Sequence, residues 1–392
     1  MRYHQTFVLL LSSIVVSSLT VGTGLPTRAS SRDASIGKWI DAIRAVGHQG
    51  AGHEAAQKAL QNLHRCGPDA LVPILKGIRG ANPLAANWLL NAFEVIADRE
   101  VRGGRGLPAD ELERFLLDRD NAPRARRIAF EWLAKVDPSV IDRLIPGMLL
   151  DPSPEFRRDA VARLMADADR LRGQDQLDRA VALYRKALTG ATDQKQVEAL
   201  VKRLKELGQK VDLQRHFGFI VDWQIIGPFD NTDRKGFAAV YPPEKEVNLR
   251  ASYPGKLGPV RWVPIHTDDP YGIVNIAKSV APYKGAVMYL TAEFVSRESR
   301  PVEFRLGTPN AVKVWLNGKL LFAREEYHRG MFLDQFRVPA QLQAGRNRIL
   351  IKLCQNEQTE PWAQRYEFQF RVCDPSGLAV LSAERDGAAS SP

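Results

Sequence analysis

The period of the hydrophobic pattern changes once along this chain, near residue 210. From Ala34 to about Leu207, apolar residues recur at spacings of three and four, as in amphipathic helices. Beyond Val211 they alternate with polar residues, as in strands that bury one face. Because a segment patterned for one period does not settle into the other structure, the sequence predicts an α+β multidomain protein with helices first. A length of 392 residues allows two or three domains.

Two helical segments in the first half repeat each other at an offset of 31 residues. "NAPRARRIAFEWL" (121–133) aligns with "PSPEFRRDAVARL" (152–164), with Pro, Arg-Arg, Ala and Leu at matching positions. These segments resemble the second helix of HEAT-type repeats, in which the alanine lets helices approach closely and the leucine fills the layer between repeats. The resemblance implies an N-terminal α-solenoid over residues 31–165 that contacts a protein partner. We expect the paired arginines to join repeats, with binding of an acidic partner as the alternative.

Residues 166–210 differ in character from the repeats before them. "DQLDRAVALYRKALTGA" (175–191) resembles one helix of a tetratricopeptide repeat, and a second amphipathic helix follows at 194–208. A single such helix does not make a repeat array. We therefore expect a helical cap or tetratricopeptide-like connector here.

About eight short strands, separated by Gly, Pro or Asn, follow Val211. Their alternation predicts one buried face per strand and an antiparallel β-sandwich of jelly-roll type over residues 211–375. We expect a disordered tail at 376–392. The predicted strands lie within 219–229, 260–265, 286–295, 301–307, 311–322, 332–339, 346–354 and 365–373.

The order of features in residues 284–373 resembles a known sugar-binding domain. An aromatic strand leads into the Asn-Gly hairpin "AVKVWLNGKLLF" (311–322), and a Leu-x-x-Gly-x-Asn turn then opens the strand that begins at Asn347. This series is similar to the jelly-roll domain beside the catalytic barrel of family-two glycoside hydrolases, and more broadly to galactose-binding-like sandwiches. The resemblance implies carbohydrate binding. It does not imply hydrolysis, because no segment of this chain resembles the barrel.

Three polar loops carry the candidate binding residues. Sugar recognition needs flat aromatic faces together with planar polar groups, and these loops supply both. We expect the loops around Trp362, Tyr327 and Asp268 to form one binding end, and Trp315 to pack inside the protein. The candidate ligand-binding residues are Trp362, Tyr327, His328, Asp268, Asp269, Tyr271 and Asn356.

Neither catalytic residues nor a cofactor is expected. The sequence has no G-x-S-x-G, H-E-x-x-H or phosphate-loop motif. The favoured interpretation is an exported, non-catalytic binding or scaffold protein. The alternatives are a purely structural protein of the cell envelope and, less favoured, a glycan-active enzyme. A calcium site made by Asp268 and Asp269 with Asp230 and Asp233 is a further alternative.

The N-terminus predicts export. Residues 1–30 combine Arg2, an uncharged apolar run and small residues near Ala29, which is the pattern of a cleaved signal peptide, with a retained anchor as the alternative. We expect a secreted or periplasmic protein of a bacterial envelope, without a later membrane span.

The positive charge does not predict nucleic-acid binding. Residues 31–210 contain 30 basic and 25 acidic residues, and residues 211–392 contain 23 and 20. The excess is therefore spread thinly, whereas nucleic-acid proteins concentrate it. The three cysteines are expected to be free, because Cys354 and Cys373 would lie at opposite ends of antiparallel strands.

Overall fold

The structure is a computed structural model, and it describes residues 28–387. The apolar part of the predicted signal peptide and the last five residues lie outside the described range. The chain divides into two compact units, of which the first ends at Val136 and the second begins at Asp137. No helix within residues 28–387 is both long and apolar enough to cross a membrane.

The first unit is helical. Pro83 begins its longest helix, where a proline loses no hydrogen bond, and the side chain of Asn82 caps that helix by accepting from the Ala85 amide at 2.9 Å. The last helix buries Arg126, whose Nε donates to the Leu116 carbonyl at 2.6 Å. The helices are α1 (Arg28–Arg44), α2 (His53–His64), α3 (Leu71–Gly77), α4 (Pro83–Arg102), α5 (Ala109–Leu117) and α6 (Pro123–Val136).

The second unit opens with helices as well. Arg157 occupies the position that repeats Arg126, and it is likewise buried and donates to a local carbonyl, that of Asp151, at 2.8 Å. The repeated arginines therefore stabilise the backbone just before their own helices. These helices are α7 (Ser139–Leu144), α8 (Pro154–Gly173), α9 (Leu177–Gly190), α10 (Gln194–Glu206) and α11 (Leu213–Phe217).

An apolar cluster joins these helices to the strand-rich part. Tyr184 of α9 and Leu200 of α10 pack in the same cluster as Phe217, Phe219 and Val221, which lead into the first strand. Helices α8, α9 and α10 thus share a core with the strand-rich part, although the period changes only near residue 210.

The strands form antiparallel sheets. They are β1 (Asp222–Asp230), β2 (Ser252–Gly255), β3 (Gly258–Arg261), β4 (Val263–His266), β5 (Val274–Asn275), β6 (Ala286–Ser296), β7 (Arg300–Gly307), β8 (Ala311–Leu316), β9 (Lys319–Arg324), β10 (Phe336–Leu342), β11 (Gly345–Gln355) and β12 (Glu367–Cys373). One sheet has the order β4-β1-β6-β11-β8-β9 and another β10-β7-β12-β5, while β2 and β3 pair with each other. All of these strands pair antiparallel with their neighbours.

The two larger sheets share one apolar core. Leu290 and Ile351 of the six-stranded sheet pack in the same cluster as Phe304 and Phe370 of the four-stranded sheet. Trp223 lies edge-on to Phe370, with ring centroids 5.8 Å apart. The described chain is therefore helical in its N-terminal half and built of antiparallel sheets after it.

The six-stranded sheet is also covered on its outer face, contrary to the expectation of one buried face per strand. Tyr289 and Trp315 point to this face and are buried there in a second apolar cluster. Residues 235–261, which we call the cover segment, pack over them with α12 (Lys235–Ala238), α13 (Pro242–Lys245) and the β2–β3 pair. Trp315 thus lies in the protein interior, as expected, beneath this segment.

All three cysteines are buried, and none of them forms a disulfide. From the sequence, antiparallel pairing of the strands that hold the two thiols is the expected reason for the absence of a Cys354–Cys373 disulfide. Those strands, β11 and β12, belong instead to different sheets and do not pair. Burial raises the pKa of the Cys354 thiol to about 12.

The segment after Cys373 was expected to be a disordered tail from residue 376. A short helix, α14 (Ile276–Ser279), lies between β5 and β6, and the structure of the C-terminal segment runs instead to a final helix, α15 (Ala383–Gly387). The Val380 amide donates to Val372 at 3.0 Å, and Arg385 donates to the Phe219 carbonyl. This stretch is therefore bonded to the strands beside it.

Candidate functional site

The loops that follow β1, β9 and β11 meet at one end of the six-stranded sheet, which we call the loop end. Trp362 lies there on a short turn, Pro361–Ala363, and 59% of it is exposed. The ring of His328 meets it edge-on, with centroids 5.2 Å apart. Trp362 is thus an exposed aromatic surface held by a neighbouring ring.

A buried amide fixes the orientation of His328. Its Nε2 lies 2.6 Å from Oδ1 of Asn356, which is 1% exposed. The Asn356 amide nitrogen in turn donates to Gln358 Oε1 at 2.7 Å. Since each member holds the next, the chain from Asn356 through His328 to Trp362 is set before any ligand arrives.

Tyr327 stands behind this surface. Its hydroxyl accepts from Asn231 Nδ2 at 3.3 Å, and the guanidinium of Arg234 lies 5.4 Å from its ring centre. Burial raises the pKa of Tyr327 to about 12, so the phenol stays neutral at ordinary pH. Four predicted residues, Trp362, His328, Asn356 and Tyr327, therefore lie together.

Asp268, Asp269 and Tyr271 lie at the opposite end of the sheet, so the expected single binding end is wrong. The cause is the antiparallel pairing of β4 with β1, which places His266 opposite Asp222, at the far end of β1 from Asp230. The loop after His266 must therefore start away from Trp362.

Two of these three residues have structural partners. Asp269 Oδ1 accepts from the Tyr271 amide at 2.8 Å, which closes a turn. The Tyr271 hydroxyl donates to Glu198 of α10 at 3.1 Å. Burial, with a smaller contribution from Glu198, raises the pKa of Tyr271 to about 12. The side chain of Asp268 is fully exposed, 3.2 Å from His266 Nε2.

The carboxylates proposed for calcium do not converge. Asp230 pairs with Lys256 at 3.0 Å and Asp233 with Lys235 at 2.9 Å, both at the loop end and away from Asp268. No group of three or more His, Cys, Asp or Glu side chains within residues 28–387 is arranged to hold a metal ion.

A row of ionic side chains crosses the outer face of the six-stranded sheet, and sequence reasoning missed it. His266 pairs with Asp222, and Glu293 pairs with Arg348. Gln224 of β1 pairs with Thr291 of β6. Asp222 precedes Gln224 by two residues and Glu293 follows Thr291 by two, so in these antiparallel strands Asp222 and Glu293 lie side by side. We call His266, Asp222, Glu293 and Arg348 the polar row. Only strand register creates it, so no spacing in the sequence could have revealed it.

The polar row is accessible to solvent. The exposed fractions of the side chains are 51% for His266, 80% for Asp222 and 38% for Glu293. His266 Nδ1 lies 2.6 Å from Asp222 Oδ1, and this hydrogen bond raises the pKa of the imidazole. These residues line a groove of about 690 Å³.

No protein-family model matches this chain, and no curated protein matches its sequence. Solved structures are only distantly similar. An anti-sigma factor domain-containing protein is 13% identical, with a TM-score of 0.23, over 42% of this chain and 48% of its own. A β-glucuronidase from Ruminococcus gnavus in complex with uronic deoxynojirimycin is 13% identical, with a TM-score of 0.24, over 40% of this chain and 28% of its own.

A β-glucosidase from Kluyveromyces marxianus in complex with glucose is 10% identical, with a TM-score of 0.25, over 76% of this chain and 37% of its own. The chain thus spans less than half the length of each of these proteins. At these TM-scores the similarity carries no argument about fold or function, and neither the HEAT-type nor the galactose-binding-like family is shown for this chain.

Proposed function

We propose that this chain is an exported, non-catalytic binding protein. In this proposal the helices up to residue 165 act as a HEAT-like solenoid that contacts a protein partner, and the sheets form a jelly-roll sandwich that binds carbohydrate at the loop end. The observation that carries the proposal is the exposed indole of Trp362, held edge-on by His328.

The chemistry of the loop end suits a sugar ring. An indole face gains most by covering the C–H groups of a pyranose, because both surfaces are apolar and flat. Polar groups around it would then meet the hydroxyls. Glu357 is on the same loop, and its Oε1 already accepts from the Asp233 amide at 2.6 Å. Because these side chains are already ordered, the surface loses little conformational entropy when a ligand binds.

The helical half offers a different kind of surface. Four apolar side chains of the first unit are substantially exposed, namely Leu84 at 45%, Val95 at 39%, Leu117 at 50% and Val136 at 49%. Exposed apolar side chains support, without identifying, a protein partner. Export rests on the N-terminal pattern alone, and fusion of residues 1–30 to a reporter tests it.

The binding experiment uses the full chain and matched aromatic variants. Glycan arrays and envelope polysaccharides would identify a ligand, and titration calorimetry would follow its affinity. We expect Trp362→Ala to weaken binding at least about tenfold, which is 1.4 kcal/mol. Phe332→Ala is the control, because it removes an aromatic ring that is equally exposed, at 62%, whereas Trp362 is the ring that His328 meets edge-on.

Two results would overturn the proposal. Absence of any glycan binding, or binding that Trp362→Ala leaves unchanged, would favour the purely structural alternative. Release of reducing ends from a bound glycan would show an enzyme and remove the non-catalytic part.

A further inference from the structure

The groove along the polar row has one wall made by the cover segment. Val247 and Leu249 line it from this segment, and Pro264 and Ile265 line it from β4. The guanidinium of Arg348 donates to the Val247 carbonyl at 3.4 Å. This long bond spans from the sheet to the wall and marks one end of the groove.

A second pocket, of about 390 Å³, begins on the other side of the same contact. Val247 and Arg348 line both spaces, so the two adjoin. Its floor is Trp315 and Leu350, which are only 6% and 5% exposed and so offer an apolar patch rather than a whole ring. Glu246, Lys245 and Asn317 stand around it.

Together the two spaces cross the sheet from β4 to β8. Four strand spacings of about 4.8 Å give the path a length of about 19 Å. Along it, the acidic side chains of Asp222 and Glu293 lie next to each other and accept hydrogen bonds, and His266 and Arg348, which can donate them, lie on either side. Gln224 and Thr291 form a second, uncharged line beside the polar row.

This arrangement selects among ligand classes. A peptide strand adds to a sheet through unpaired backbone groups, but β1, β6 and β11 lie inside the sheet with both neighbours in place. A metal ion needs converging ligands, and the described residues have no such group. Side-chain carboxylates and a guanidinium over an apolar floor match a long ligand with many hydroxyl groups.

We propose that this groove and the adjoining pocket bind a carbohydrate chain of several rings that lies across the strands. It is a second binding surface, separate from the loop end. The class of ligand, carbohydrate, is taken from the proposed function, whereas the position of the site is argued independently of it.

The test uses the full chain, titrated with cellohexaose, xylohexaose and chitohexaose and with the corresponding monosaccharides. The groove variant is Asp222→Asn with Glu293→Gln, which keeps side-chain shape and removes two charges. Glu298→Gln is the control, because Glu298 is exposed on the turn after β6 and lies outside the groove. Melting temperatures check that all variants fold.

We expect a hexasaccharide to bind at least tenfold more tightly than its monosaccharide, and the groove variant to lose at least tenfold in affinity for it while Glu298→Gln loses none. Loss in Trp362→Ala with no loss in the groove variant would overturn this inference and leave the proposed function standing. Loss only in the groove variant would support the inference and remove the loop end as the site. If no hexasaccharide binds, this inference is wrong, whereas the proposed function is decided by the glycan arrays and envelope polysaccharides.

Discussion

Lys352 is the most deeply buried cation of the sheets, with no exposed surface. Its ammonium donates to the carbonyls of Phe237 and Ala239, at 3.2 and 2.6 Å, and to Glu244 Oε1 at 2.7 Å. All three acceptors belong to the cover segment. Burial lowers the pKa of Lys352, and the hydrogen bond to Glu244 opposes that shift. The lysine therefore ties the cover segment to the sheet.

Lys352→Met should lower the free energy of unfolding by about 3 kcal/mol, because it leaves the Glu244 carboxylate buried without its partner. Urea unfolding measures the change. Lys319→Met, on the exposed start of β9, should change stability by less than about 0.5 kcal/mol. Adding Glu244→Gln to Lys352→Met should restore part of the lost stability, because it removes the charge left without its cation. A double variant no more stable than Lys352→Met alone would contradict this explanation.

Asp334 gives stability a dependence on acid pH. Burial favours its neutral form, but Arg371 at 2.6 Å and Arg305 at 2.7 Å outweigh burial and lower the pKa of Asp334. Because the pKa of Asp334 is lower in the folded protein than in the unfolded chain, its ionised carboxylate stabilises the fold at pH values above the unfolded pKa of about 3.9. This contribution is lost as the pH falls through the folded pKa.

Asp334→Asn should therefore destabilise by about 3 kcal/mol at pH 7, since it leaves buried arginines unpaired. The difference from the natural protein should shrink steadily below about pH 3.9, because protonation neutralises the carboxylate as the amide does. Urea unfolding from pH 7 to pH 3 measures it. A difference that stays constant over that range would rule out the ion pairs as its cause.

At the scale of elements, two helices in succession end in glycine for different reasons. A Cβ on Gly190, the last residue of α9, would overlap the backbone oxygen and side chain of Leu149. A Cβ on Gly173, the last residue of α8, would meet nothing within 4 Å.

Gly190→Ala should thus cost about 1–3 kcal/mol through overpacking. Gly173→Ala should be neutral or stabilise by up to about 1 kcal/mol through its better helix propensity. Thermal unfolding of the two variants compares them directly. Equal effects would show that helix propensity, and not the contact with Leu149, decides the outcome at Gly190.

Hydrophobic period predicted the class of most elements, because it records which face of each element is buried. The runs at 286–295 and 346–354 became β6 and β11 nearly residue for residue. It missed β2 and β5, which have four and two residues and too few alternations to make a pattern. The hydrophobic period also could not show that Tyr289 faces a second apolar layer, since that depends on where the cover segment packs against the sheet.

The candidate site was predictable only within single loops. Tyr327 and His328 are neighbours in sequence, and their approach to Trp362 follows from strands that end side by side. The separation of Asp268 from them, and the approach of Asp222 to Glu293, depend on strand order and register. A single sequence records neither.

For the whole molecule, truncation at the boundary between the two units, at Asp137, and truncation at the change of hydrophobic period, near residue 210, should give fragments of different stability. A fragment of residues 137–387 keeps the cluster in which α9 and α10 pack on Phe217, Phe219 and Val221. A fragment of residues 211–387 exposes these three side chains, which should reduce the free energy of unfolding by about 5 kcal/mol. Urea unfolding and near-ultraviolet circular dichroism of both fragments test this, and equal stability would contradict it.

The order of strands in the two larger sheets leaves four strands at their edges, where free backbone groups could recruit another chain. Pro264 in β4 and Pro339 in β10 each remove an amide donor from an edge. Lys319 and Arg324 place charge at both ends of β9, while β5 is only two residues long. This distribution protects a strand-rich chain against edge-to-edge polymerisation at high local concentration, so the sheets can present their faces and loops while their borders stay inert.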